Sequence, residues 1–147
     1  MKEIFAFVYD TLFGIFDPNY YLIFNHLYDN GGYTSMGFIL LLVPLLCWLL
    51  FYFLMTYPYG KLSHWFIVLL FTALVVFGLT YGTANTEIFS SNNQNLNNAL
   101  SNSNYSDFAG SLPIKYALIN GILTLIVGFL YSLFLKRFSK IQTHLPF

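Results

Sequence analysis

The sequence predicts an all-α, polytopic membrane protein in which three transmembrane helices are preceded by an interfacial amphipathic helical hairpin. Three observations carry that expectation. Of 147 residues, 57% are hydrophobic and 8% are charged, a composition unsuited to a solvated surface. Three uncharged stretches are each long enough to cross roughly 30 Å of hydrocarbon as a helix. Lysine and arginine gather in the short loop and the tail that a three-span topology puts on one side.

The first expected span is 37–57, "GFILLLVPLLCWLLFYFLMTY", inside an interval without charge from Asp29 to Lys61. Ser35 is the expected cap, Pro44 an interior kink, and Tyr57-Pro58 the stop, because the residue before proline is pushed out of helical geometry. The second span is 63–83, returned antiparallel by the short "PYGKL" connection. The third is 113–135, whose uncharged run from Tyr116 to Leu135 lies between Lys115 and Lys136-Arg137, with Pro113 in its first turn.

Lys61, Lys136, Arg137 and Lys140 then mark the cytoplasmic side, which makes 136–147 a basic cytoplasmic tail. The connection 84–111 has no lysine or arginine and is dominated by Asn and Ser, so it is expected outside as a partly ordered polar loop. Ile88, Phe89, Leu96 and Leu100 are the residues able to pin it. "NYS" at Asn104 fits a glycosylation acceptor, a pattern common by chance in such a stretch.

Residues 1–36 form the expected N-terminal unit, and 37–147 the transmembrane unit. In the former, Ile4, Phe5, Val8, Leu12, Phe13 and Phe16 recur at helical spacing, while Glu3, Asp10 and Asp17 repeat every seven residues on the other face. Asp17-Pro18 reads as a cap followed by proline at the first helical position, and Gly31-Gly32 as a stop and turn. A fourth span over 4–28 is the alternative. An aspartate near the bilayer centre costs about 2.5–3.5 kcal/mol against about 0.3–0.6 gained per good apolar residue, so two aspartates, Pro18 and two asparagines offset the apolar gain. The hairpin at the outer interface is therefore the reading taken.

Neutral net charge removes the electrostatic term that nucleic-acid binding needs. With one cysteine, Cys47, there is neither a disulfide framework nor a multi-cysteine metal site within one chain. Asp10, Asp17, His26 and Asp29 are the one cluster of acid, base or ligand types, and their spacing matches no catalytic or metal motif. No phosphate loop or activated serine motif occurs, so no enzyme, metal or cofactor is expected. The acidic stripe is read as a solvated helix face, the sharper alternative being rings of charge around an outer vestibule. Tyr33, Tyr57, Tyr59, Trp65, Tyr81 and Tyr116 are assigned to interfacial belts.

The third span carries the most information. At about 100° per residue, Ala117, Asn120, Gly121, Thr124, Gly128, Tyr131 and Ser132 share one third of its circumference, the rest being apolar. Lipid tails give helices no hydrophobic reason to associate, so small residues and interhelical hydrogen bonds mark a face for contact. Gly78 and Gly82 give the second span a matching small pair. The expected function is a non-enzymatic multi-pass subunit that self-associates or anchors a larger envelope complex, its partners the lipid bilayer and membrane-complex subunits. A homo-oligomeric pore lined by the third span is the alternative. A bacterial inner membrane, with the C-terminus cytoplasmic, is the expected location.

Overall fold

The computed structural model describes residues 2–54, 62–91 and 93–138, and among these there is no β-strand. Three helices are long and apolar enough to cross a membrane: α3 (Gly32–Leu54), α4 (Leu62–Phe89) and α6 (Ser103–Lys136). They are preceded by α1 (Lys2–Ala6) and α2 (Tyr21–Asp29), and α5 (Gln94–Leu100) lies between α4 and α6.

Each long helix buries a ladder of residues four apart: Met36, Leu40, Pro44, Trp48 and Tyr52 on α3, Thr72, Val76, Thr80, Ala84 and Ile88 on α4, and Tyr116, Asn120, Thr124, Gly128 and Ser132 on α6. Positions i and i+4 lie one above the other on a helix, so each ladder is one continuous seam. α6 packs along α4, and α3 lies against both. Outside the seams the helices present Leu46, Leu50, Leu70, Leu74, Ile122 and Ile126, all exposed, as a lipid-facing girdle requires.

At one end the bundle is closed by Trp48, Phe51, Tyr52, Trp65 and Leu69. At the other, a cap forms around Phe5, Tyr9, Ile23, Leu27, Tyr33, Ile88, Leu96 and Leu112, drawn from every helix of the fold. α6 has 34 residues, roughly 50 Å, so it outreaches a hydrocarbon core of roughly 30 Å and supplies part of this cap.

The connection expected as a loop over 84–111 is mostly helical. α4 runs on to Phe89, and Asn93 then starts α5 by accepting hydrogen bonds from the backbone of Asn95 (3.0 Å) and Leu96 (3.4 Å). Asn102 starts α6 by accepting from Asn104 N–H at 3.2 Å. The asparagines that compete for backbone donors thus cap helices rather than melting them, because Ile88 and Leu96 are buried on either side and hold the chain in place. Pro113 consequently lies inside α6, not in its first turn. The start of α3 also differs: the helix begins at Gly32, after Gly31 turns the chain with φ +78°, and Ser35 is within it.

The front end is less regular than two amphipathic helices. α1 gives way at Phe7–Leu12 to wider π-helical turns, Gly14 breaks the segment with φ +63°, and a 3-10 turn at Pro18–Tyr20 leads into α2. Asp17 does cap it, accepting from Asn19 N–H at 3.0 Å, with Pro18 following. The expected stop at Tyr57-Pro58, the turn bearing Tyr59 and Lys61, and the tail from 139 onward lie outside the described residues.

Candidate functional site

Asn120 is fully buried at the level where the cap meets the spans. Its Oδ1 accepts from the Tyr9 hydroxyl at 2.7 Å, and its Nδ2 donates to the Met36 carbonyl at 3.1 Å and to Thr80 Oγ1 at 3.0 Å. One side chain on α6 therefore joins the N-terminal segment, α3 and α4. A buried amide left unpaired costs about 1–3 kcal/mol, which makes this arrangement selective for its partners.

Around Asn120 lie three tyrosines. The Tyr9 ring stacks on Tyr33 with centroids 6.0 Å apart and meets Tyr116 edge-on at 5.4 Å. The Tyr33 hydroxyl donates to Asp10, 2.8 Å from each carboxylate oxygen, which leaves Tyr116 as the donor across the 3.5 Å to Tyr33. Burial pushes the Asp10 carboxyl up to about 6, against the lowering effect of the Tyr33 bond, and raises the Tyr9 phenol as well. Asp10 is thus a carboxyl that changes charge near neutral pH, held directly against the mouth of the bundle.

Further along α6, the Thr124 hydroxyl donates to its own helix, at the Asn120 carbonyl (2.7 Å). Ser132 Oγ lies 2.6 Å from the Tyr52 hydroxyl and accepts from Trp65 Nε1, also at 2.6 Å. A Cβ placed on Gly128 would come within 2.9 Å of Trp48 Nε1 and 3.0 Å of Leu69, so the missing side chain is what lets the indole seat. Ala117 is fully buried, and Tyr131 packs half-buried beside the tryptophan cluster. Gly121 lies at the edge of the α4 contact, where a Cβ would meet Ala73 O and Phe77 at 3.8 Å.

The structure parts the other residues singled out by sequence. Gly78 and Gly82 face away from α6 with nothing near them, and the contact they were expected to make is made by Val76 and Thr80 on the opposite side of α4. Glu3 is exposed, Asp10 is tied to Tyr33, and Asp17 caps the turn before α2. The seven-residue stripe does not stay on one face because the π turns and Gly14 change its register. Tyr33, Trp65 and Tyr116 are buried bundle residues instead of interfacial anchors, whereas Tyr81 is exposed. His26 is buried and accepts from Asn30 Nδ2 at 3.1 Å, if Nε2 is its unprotonated nitrogen.

No protein-family model, curated protein or solved structure matches this chain.

Function must therefore be argued from the geometry. Among the described residues no three His, Cys, Asp or Glu side chains come together as a metal-ion set. What was hidden from sequence reasoning is Tyr9, and the pairing with Tyr33 of an Asp10 that the sequence marks only as part of an acidic stripe. These two adjacent side chains point in different directions, one into the bundle seam and one toward Tyr33, and no periodicity announces that. The signal available was the recurrence of tyrosine at the cap end, of which Tyr33 and Tyr116 were read as interfacial because tyrosine suits both places.

Proposed function

We propose that the chain is a non-enzymatic, multi-pass membrane subunit: a three-span bundle that anchors a helical cap, with the cap docking further copies or other chains of an envelope complex. The observation that carries the reading is the use made of Asn120. Its three hydrogen bonds, with those of Thr124 and Ser132, spend the polar groups of the third span inside one chain. A pore lined by that face, the alternative reading, needs those same groups turned toward water or ions. It has correspondingly less support.

Two further features favour an anchor. The cap is built from the N-terminal segment, α2, α5 and the start of α6 around one core, so it is rigidly coupled to the spans. Its outward side is polar, with Asn93, Asn95, Asn97, Asn98 and Asn104 exposed alongside Asp29 and Asp107, while Ile4, Phe7, Leu12 and Phe16 leave a bulky apolar edge suited to the interfacial zone. The distribution of lysine and arginine favours a topology with the cap outside and the C-terminus in the cytoplasm, in keeping with the bacterial inner-membrane location proposed here.

Photo-crosslinking in living cells tests this reading. A crosslinking residue at Asn95 or Asn98 is expected to capture a second copy or another envelope protein. Absence of any adduct at both positions, together with single-channel current from the purified protein that Asn120→Leu abolishes, would overturn it in favour of the pore.

A further inference from the structure

Where the N-terminal segment crosses α6 it leaves an open groove of about 570 Å³, walled by Phe13, Ile15, Phe16 and Phe108 and bearing Asp17 and Lys115. A second groove, about 350 Å³ and almost wholly apolar, lies between α4 and α6 and is lined by Leu70, Leu74, Leu118, Gly121, Ile122 and Leu125. Leu118 belongs to both. Lys115, Leu118, Ile122 and Leu125 follow one face of α6, so the two grooves form a single track of about ten residues, roughly 15 Å. That is half the thickness of a hydrocarbon core, the depth of one leaflet.

We propose that this track binds one zwitterionic aminophospholipid, with its phosphate on Lys115, its ammonium on Asp17, and one acyl chain lying down the α4/α6 groove. The charges and the walls both select that occupant. Lys115 Nζ is held over the Phe108 ring, 5.2 Å from its centroid, at the mouth of the groove, as a phosphate-binding cation should be. Asp17 spends Oδ1 on Asn19 N–H, and Oδ2 is left for a donor. A primary ammonium offers that oxygen three N–H donors and a positive charge, a quaternary ammonium offers the charge without an N–H, and a glycerol headgroup offers hydroxyls that leave the carboxylate's charge uncompensated. Below the headgroup, Gly121 leaves the chain's path open: a Cβ there makes ordinary contacts at 3.8 Å, so alanine fits, while a longer side chain enters the groove.

The test is native mass spectrometry of the full chain in detergent, titrated with phosphatidylethanolamine, phosphatidylcholine and phosphatidylglycerol of matched acyl chains. The expected result is a one-to-one phosphatidylethanolamine adduct, about tenfold tighter than either competitor, a difference equivalent to one good charge-assisted bond. Lys115→Gln weakens all three lipids. Asp17→Asn, which keeps a capping residue in place, removes the preference for phosphatidylethanolamine over phosphatidylcholine. Gly121→Leu abolishes the adduct and Gly121→Ala keeps it, with helical circular dichroism unchanged in both. Equal binding of the three lipids by the unaltered protein, tightest binding of phosphatidylglycerol, or an adduct that survives Gly121→Leu would each overturn the proposal. So would a track filled by a partner's apolar helix, seen as a co-purifying chain that Gly121→Leu displaces while lipid binding is nil.

Discussion

The Tyr9 hydroxyl and Asn120 Oδ1 are 2.7 Å apart although 111 residues separate them along the chain. This bond fastens the N-terminal segment to the third span, and a double-mutant cycle measures it. Tyr9→Phe and Asn120→Ala are each expected to destabilise the protein in detergent. Their coupling should be about 0.5–1.7 kcal/mol, the range of interhelical hydrogen bonds in membrane proteins. Additive effects would mean the segment is held by its apolar contacts alone.

Asp10 gives the fold a pH dependence of defined sign. Burial raises its pKa from the ordinary 3.8 to about 6, so between those values the folded chain holds more protons than the unfolded one. Stability therefore falls as pH rises through that interval and remains lower above it. Thermal unfolding in detergent is expected at a higher temperature near pH 5 than near pH 7.5. Asp10→Asn, which preserves an acceptor for the Tyr33 hydroxyl, should flatten the difference.

Glycines on the spans are predicted to divide by contact. Gly128→Ala forces a Cβ against Trp48 and Leu69 and should cost about 1–3 kcal/mol, the usual range for overpacking a fitted core. Gly78→Ala, with open space around it, should be neutral or stabilising, since alanine is the better helix former. Thermal shift of the two variants side by side distinguishes them, and equal losses would contradict the packing described.

Much of the bundle was legible because hydropathy and length are summed over twenty residues, so single exceptions do not matter. The face of α6 containing Ala117, Asn120, Thr124, Gly128 and Ser132 was legible for the same reason: small and polar residues stand out on an otherwise Leu- and Ile-rich helix. What they meet was not. Thr80 and Gly78 are two residues apart on α4 and both belong to the small residues that mark membrane helix contacts, and only the packing decides which of them faces Asn120. The Asn-rich connection misled because an asparagine that interrupts a helix and one that starts it have the same sequence; the difference is made by the burial of the flanking Ile88 and Leu96 in a cap assembled from distant parts of the chain.

The caps on that connection can be tested separately. Asn93→Ala and Asn102→Ala each remove side-chain bonds to the first turn of α5 or α6, a loss of about 1 kcal/mol for a typical cap. Faster amide hydrogen exchange across Gln94–Leu100 is expected for Asn93→Ala, with exchange in the membrane-spanning part of α4 unaltered. Unchanged exchange in α5 would show that Leu96 alone holds it.

The most direct measurement is the mass of the protein extracted from its own membranes in mild detergent. The single chain is 16.9 kDa. A membrane subunit that docks through its cap should emerge as a discrete assembly of several copies or with other envelope chains, and should lose that assembly when Asn95 and Asn98 are both replaced by arginine. A stable species of one chain with no protein partner would contradict the account.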